Sequence, residues 1–397
     1  MGSSTSRSQE ARVVHMNKQK PRILFFHNAL VGYTRPFFLR LSEVYDVRFV
    51  FTDVGLSQGN YGVEEKKQFE GFSKVDYRVL KRYCGIGPGV ISEMLKGDYD
   101  VVVDSLGAKE FVLTFFIAKI RRKPIVLWSE EWGWKDKSTE HKWFSTLIRF
   151  MVSHADAVFG PGSRHREYLI SLGASPEKVF IVPNAVNSII NEDDYREKEK
   201  IKNNLNTGKK RVILFVGRLV KRKGVAYLIE AFSRLRKERD DILLVIVGRG
   251  ESKPDLEALA AGLNIRDDIC FVGYIEDKYL TPYYLLGDIC VMPSITYEMG
   301  DPWVFVLNEA MAAGKPVIAS DAVGAAYDMI KDGVNGFMVP ERNSDALYKA
   351  LKTILSDPAL AKKMGEASKR IIEQGYTIEH MVASFNKAIE SVRRGLK

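Results

Sequence analysis

Cysteine is scarce in this sequence. Three thiols in 397 residues, Cys84, Cys270 and Cys290, are too few and too widely spaced for a disulfide framework or a zinc motif. They read as small hydrophobes in a reducing compartment. Long apolar runs are missing as well. The longest candidate, residues 111–120, contains Lys119 and falls short of the ~18 residues that span a bilayer. The first twenty residues are polar and Ser/Arg-rich, with no apolar core of a secretory signal, and read as a disordered tail. No two of the six histidines stand at i,i+4, so a metal-binding helix is unsupported. Two acidic pairs, Asp193 with Asp194 and Asp267 with Asp268, read as solvated loop acids. No G-x-G-x-x-G follows the first strand pattern, which disfavours an NAD dehydrogenase. The run Gly85-Ile-Gly-Pro-Gly89 has a proline and no preceding strand, and reads as a plain loop. Zinc fingers, RNP-like runs and long basic helices are also lacking, so nucleic acid is the weakest choice of partner.

What is present is ordinary in amount and ordered in pattern. Apolar residues make up 46% and charged residues 27%, the balance of a soluble globular protein, and the length suits two domains or three. The net charge is +9, and residues 1–190 carry +7 of it. A basic half suggests an acidic partner, such as anionic lipid or a phosphorylated acceptor, although solubility alone explains it as simply. Short apolar runs alternate with amphipathic stretches. Strands are expected at 22–27, 47–52, 99–104, 125–129, 157–160 and 179–182, with helices at 36–44, 109–120, 142–152 and 164–172. The alternation then restarts, with strands at 212–217, 242–248, 269–273, 289–292, 316–320 and 336–339 and helices at 225–236, 254–263, 304–313 and 344–355. Wholly apolar strands alternating with helices mean parallel sheets covered on both faces. The fold class is therefore α/β with two Rossmann-like domains. The expected divisions are a tail over 1–20, a first domain over 21–190, a second over 191–375 and a helix over 376–397. The polar stretch 187–210 would form the join, and the helix near 377–395 could pack anywhere.

Two stretches carry chemistry. A strand ends at Gly217, Arg218 follows, and Lys223 stands where the next helix starts. Ligands bind beyond the carboxyl ends of such strands, where free N–H groups at helix starts favour anions. Arg218 would clamp phosphate oxygens as a fork and Lys223 would add a point charge. A solvated basic turn is the plain alternative. The second stretch runs from Asp301 to Gly314. Pro302 suits the first turn of a helix, which places Asp301 at its N-cap. Glu309 would then lie about two turns inside an otherwise apolar helix and need a partner. Ligand hydroxyls would serve, and so would a core salt bridge. A third cluster, Trp128-Ser-Glu-Glu-Trp-Gly-Trp134, flanks Glu130 and Glu131 with aromatic rings, a setting suited to sugars or to a domain-edge contact. The helix at 111–120 ends in Arg121, Arg122 and Lys123. It reads as a core helix with a basic end, or as a membrane-docking element.

Taken together, these residues resemble the retaining GT-B glycosyltransferases of glycosyltransferase family 4 (glycosyl transferases group 1). Gly217, Arg218, Leu219, Lys223 and Gly224 match that family's phosphate-binding stretch. Val247 to Gly250 match its next strand end, and Phe271 to Tyr274 the loop beside the base. Asp301 through Glu309 matches its E-x7-E element, and the run to Ser320, Val334 to Phe337 and Val182 to Val186 also fit. The match covers nearly all of 150–375 and is weaker over 20–150.

The resemblance implies two domains facing across a cleft that holds a nucleotide-sugar, with a final helix crossing back to the first domain. Arg218 and Lys223 would bind the diphosphate and steady the leaving group. Asp301 would hold the transferred sugar and Glu309 the ribose hydroxyls. Backbone N–H groups of Val304, Phe305 and Val306 would approach the phosphates or sugar. Tyr274 and Ile275 would flank the base, and the turn at Gly32 would close over the phosphates. Arg218, Lys223 and Asp301 are thus the expected catalytic residues, with Glu130, Glu131 and Trp132 on the acceptor side. Three departures stand out: Asp301 replaces Glu, Val304 replaces a common Gly, and the frequent N-domain His is not evident. The implied activity is retaining transfer from a nucleotide-sugar, a UDP-sugar ahead of a GDP-sugar, to a hydroxyl of a glycan or lipid-linked acceptor in cell-envelope synthesis. A degenerate nucleotide-sugar-binding subunit and a GT-B epimerase are the rivals. No cofactor or metal is expected. The implied location is cytoplasmic, with peripheral contact to an anionic membrane left open.

Overall fold

The computed structural model describes residues 20–30, 32–52, 69, 71–80, 88–106, 110–133, 142–186, 190–297 and 299–394. Cys84, Gly85 to Gly87, Trp134, residues 187–189 of the join and the tail through residue 19 lie outside them. Two parallel sheets organise the chain. The first holds β1 (Arg22–His27), β2 (Asp46–Phe51), β3 (Asp76–Val79), β4 (Val101–Ser105), β5 (Ile125–Trp128), β6 (Ala157–Gly160) and β7 (Val179–Ile181), in the order β3-β2-β1-β4-β5-β6-β7. The second holds β8 (Arg211–Val216), β9 (Ile242–Val247), β10 (Ile269–Gly273), β11 (Ile289–Met292), β12 (Val317–Ser320) and β13 (Gly336–Val339), in the order β10-β9-β8-β11-β12-β13. The cause is visible in β9, whose six residues Ile-Leu-Leu-Val-Ile-Val are all buried. A strand apolar on both faces needs a layer of helices on each.

The first domain's described helices are α1 (Arg35–Val44), α2 (Pro88–Lys96), α3 (Phe111–Ile120), α4 (Lys142–His154) and α5 (Ser163–Ser171). The second begins with α6 (Glu192–Asn204) and continues with α7 (Val225–Arg236), α8 (Lys253–Gly262), α9 (Thr281–Leu286), α10 (Phe305–Ala312), α11 (Ala326–Met329), α12 (Ser344–Ser356) and α13 (Pro358–Gly375). Both halves are Rossmann-like, and the strand order reverses between β1 and β4 in one and between β8 and β11 in the other. These reversals leave a crevice where neighbouring connections diverge to opposite faces.

The expected polar join is largely helix. Asn191 caps α6, accepting from the Asp194 N–H at 3.1 Å, while the Asp194 carboxylate accepts from the Asn191 N–H at 2.9 Å. This capping box shows that Asp194 is a helix-start residue, not a loose loop acid. Asp193 pairs with Arg196. Asp268 is likewise committed, to Arg236 at 2.8 Å. The helix α14 (Ile378–Arg394) packs into the first domain's core. Phe385 is fully buried there, with ring centroids 5.7 Å from Phe37, 5.8 Å from Phe159 and 6.0 Å from Phe25.

Glycine is required where β8 and β9 end. Gly248 has φ 142°, and a Cβ there would lie 1.8 Å from the Gly217 carbonyl oxygen. No rotation of a side chain relieves a clash with backbone. Gly248→Ala should therefore lower stability by about 2–3 kcal/mol, read as a drop in Cm at unchanged m in urea.

Candidate active site

The β8 end builds the cationic side of the crevice. Lys221–Lys223 form one tight 3-10 turn that ends on Gly224 at φ 63°. That single turn sends two neighbouring side chains to one carboxylate. Arg222 Nη1 lies 2.7 Å from Asp301 Oδ1, and Lys223 Nζ 2.5 Å from Oδ2. Ser294, two residues beyond β11, donates its hydroxyl to Oδ2 at 2.9 Å. Asp301 is buried. Burial alone would raise its carboxyl, but the charges of Lys223 and Arg222 prevail and hold it below the usual range. Arg218 is exposed and has no hydrogen-bond or ion-pair partner among the described residues.

Asp301 is not the helix N-cap. Val304 occupies that position in an extended conformation, and α10 starts at Phe305. Asp301 instead joins a short parallel bridge to Val323, its N–H donating to the Ala322 carbonyl at 2.8 Å. The bridge outcompetes the local Asp-Pro signal because it satisfies backbone groups that burial would otherwise strand. Glu309 consequently sits about one turn into the helix rather than two. Val304 is buried, while Phe305 and Val306 are half-buried. The N–H groups at this helix start lack intrahelical acceptors and carry partial positive charge.

Glu309 accepts a hydrogen bond from the Tyr284 hydroxyl at 2.5 Å. Burial pushes its carboxyl up to about 7, against the pull of that bond. Tyr284 comes from α9, and Asp277 adds a second nearby acid, itself raised by burial and then by Glu276. A carboxyl whose folded value exceeds its unfolded value stabilises the fold below about pH 4.5 and loses that contribution as pH rises to about 7. His27 and His165, both lowered to about 4 by burial, act in the opposite sense, so the Glu309 contribution is read as a difference: between about pH 4.5 and 7 the Tm of Glu309→Gln should rise relative to wild type as pH increases. Wild-type affinity for a vicinal diol should rise toward pH 8 as the carboxylate forms.

The first domain supplies the opposing wall. A Cβ at Gly32 would lie 3.1 Å from Asp277 Oδ2, and the Tyr33 ring stacks on Phe305 with centroids 4.0 Å apart. Tyr274 is exposed beneath the Arg249 guanidinium at 4.6 Å, and Ile275 packs half-buried on the second core. The structure thus brings together Gly217, Lys223, Asp301, Val304, Phe305, Val306 and Glu309 along β8, β11 and α10. Gly32 faces them, and Arg218, Tyr274 and Ile275 lie at strand ends on the rim.

The acceptor-side residues divide. Trp132 is not an open platform for a sugar ring. It is buried in a cluster that joins the two domains, 6.5 Å from His165 and 6.3 Å from Tyr327 by ring centroid, with His165 in turn 6.2 Å from Trp303. Large flat rings bury more apolar area between the domains than in the wet cleft. Glu131 is half-buried beside it. Glu130 is reached by solvent, yet surrounding protein raises its carboxyl, with Asn184 pulling it down and Glu131 pushing it up. A relay leads to it: Trp303 Nε1 donates to Asn308 Oδ1, Asn308 Nδ2 to the Asn184 carbonyl, and Asn184 Nδ2 to Glu130 at 3.4 Å. Arg222, Ser294, Asp277, Tyr284 and Tyr33 went unread in the sequence. Only Arg222 had a local signal, the triple Lys-Arg-Lys run.

Two facing Rossmann-like domains with a cation-rich site at the second switch point define the GT-B class of fold. HepE of Anabaena, solved in complex with UDP, superposes with a TM-score of 0.76 over 93% of this chain and all of that one, at 18% identity. Residues 196–371, nearly the whole second domain, match the sequence model of the family described as glycosyl transferases group 1. Among similar curated proteins, an uncharacterised glycosyltransferase of Methanocaldococcus jannaschii is 33% identical over 54% of this chain and 55% of its own length. The alpha-D-kanosaminyltransferase of Streptomyces kanamyceticus is 32% identical over 42% of each. The chain therefore spans about half the length of these relatives.

Proposed function

We propose that the protein is a glycosyltransferase that moves a sugar from a nucleotide-sugar to an acceptor hydroxyl. The observation that carries this reading is the division of labour along Asp301 to Glu309. At one end Arg222 and Lys223 converge on a single carboxylate beside a helix start, with Arg218 free nearby. At the other a half-buried carboxyl waits with one oxygen bonded to Tyr284. The spacing suits a diphosphate at the cationic end and ribose hydroxyls on Glu309. In the reaction the glycosidic bond to the diphosphate breaks, a bond to the acceptor oxygen forms, and the acceptor proton passes to the departing diphosphate oxygen. Negative charge grows on the diphosphate, where Arg218, Lys223 and the helix N–H groups meet it. Transfer with retention follows the family resemblance. A double displacement would need a free carboxylate nucleophile, and Asp301, the acid beside the cations, is held in two ion pairs. The cations at hand supply the charge neutralisation that this reading asks for, without a resident metal. A UDP-sugar is the first candidate donor and a GDP-sugar the second, with a glycan or lipid-linked hydroxyl as acceptor in cell-envelope synthesis on the cytoplasmic side.

A thermal-shift panel with UDP, GDP, ADP and their common sugars tests this. One nucleotide class should raise Tm, and Glu309→Ala should abolish the rise. Slow hydrolysis of the matching nucleotide-sugar should accompany it and would exclude a degenerate binding subunit. No shift with any nucleotide would sink the reading.

A further inference from the structure

The far end of the first domain carries a surface that the donor site does not use. On α2, Ile91 and Leu95 stand one turn apart and exposed, and on its neighbour α3, Phe116 and Ile120 do the same. Ile120 is 81% exposed and Leu95 57%. The Arg121 guanidinium donates to the Met94 and Gly97 carbonyls, which fixes the end of α3, where Ile120 lies, against the end of α2, where Leu95 lies. Phe150 of α4 extends the stripe, stacked on Phe116 at 6.3 Å and itself exposed. The sequence allowed α3 to be a core helix. Its Phe111, Thr114, Phe115 and Ala118 are indeed buried, but Phe116 and Ile120 point away. Solvent-facing large apolar side chains scattered singly are normal, whereas a contiguous set marks a contact surface.

A hollow of roughly 550 Å³ adjoins this stripe at the amino ends of β1, β4 and β5. Lys20, Arg22, Arg121, Arg122, Lys123 and Arg393 line it, with Asp100 as the acid among them. Asp100 accepts from the Arg22 backbone N–H, and Asp98 pairs with the Arg22 side chain. Arg122 and Arg393 are exposed, and neither side chain makes a hydrogen bond or ion pair among the described residues. Lys96, also exposed, stands beside Leu95. Six cations around one hollow repel one another and call for anions. Beside an exposed apolar stripe, the anion that matches both features is a phosphate carried at the head of an apolar chain.

We propose that this face docks on an anionic phospholipid bilayer, with lipid phosphates at the hollow and Leu95, Ile120 and their neighbours in the headgroup–acyl boundary. The hollow lies at the amino ends of the strands and the donor site beyond carboxyl ends, about 17–20 Å of strand apart. Docking there tethers the protein and leaves the cleft open to the water side. The proposal stands apart from the donor reading, since no residue is shared.

Flotation of the full chain with vesicles tests it. Phosphatidylcholine vesicles carrying about 30 mol% phosphatidylglycerol should bind at least about tenfold more protein than pure phosphatidylcholine, and 1 M salt should strip most of it. Arg122→Glu with Lys123→Glu should cost at least about tenfold, two reversed charges at a surface where each is worth about tenfold or less. Leu95→Ser with Ile120→Ser should weaken binding while leaving charge unchanged. All four side chains are exposed or rim positions, and an unchanged nucleotide-induced Tm shift would show the fold and donor site intact. Equal binding to neutral and anionic vesicles, or wild-type binding by either double variant, overturns the proposal. So does light scattering that shows a wild-type dimer dissociated by Leu95→Ser with Ile120→Ser, since the stripe would then be an interface between copies.

Discussion

Lys223→Ala should lower kcat for sugar transfer, or for donor hydrolysis, by about 10²–10³-fold. The ammonium sits 2.5 Å from Asp301 at the helix start where the diphosphate would leave. Charge on that group grows between ground and transition states, so the interaction strengthens as the bond breaks and kcat should fall more than KM rises. Asp301 keeps Arg222 and Ser294 in the variant, so its carboxylate stays partnered and the fold should hold. Steady-state kinetics with the donor identified by thermal shift would check it. A loss below fivefold would make Lys223 only a counterion of Asp301, and the leaving-group role would pass to Arg218.

Phe385→Ala should destabilise the first domain by about 3–5 kcal/mol. The ring is fully buried and meets Phe25, Phe37, Tyr45 and Phe159 edge-on or stacked. Deleting it removes burial and leaves a cavity in a core of rigid aromatic rings that cannot collapse into the gap. Urea unfolding should show an early transition for the first domain, while a nucleotide still shifts the second. A change under 1 kcal/mol would mean that α14 rests on the first core without completing it.

The strands were largely legible because burial on both faces makes them unbroken apolar runs. β3 was not: Asp76–Val79 alternates exposed and half-buried residues at the sheet edge. The helix α6 was hidden for a related reason, since none of its side chains is buried and a charged stretch without an apolar stripe looks like a linker. In the site, residues joined by local chain geometry were readable, as at Gly217 to Gly224. Contacts between distant parts were not. Arg222 with Asp301 spans 79 positions and Asn308 with Asn184 spans 124, and no local pattern encodes such a pairing. Asp301 itself was misplaced because a bridge to Val323 overrode the preference of an Asp-Pro pair for a helix start.

The return of α14 to the first core also sets a timetable for synthesis. The seven strands of the first sheet emerge by Ile181, but the surface that receives Phe385 stays uncovered until Ile378–Arg394 leaves the ribosome. At about 5–20 residues per second, that is an interval on the order of 10–40 s. During it the second domain is still being made, from β8 at Arg211 to α13 at Gly375, beside a first domain whose last helix is missing. Exposed apolar surface of this kind is what holdase chaperones cover, so the nascent chain is expected to need them more than the finished fold does. Moving the α14 sequence to the front of the gene product should relieve that dependence without changing the folded protein.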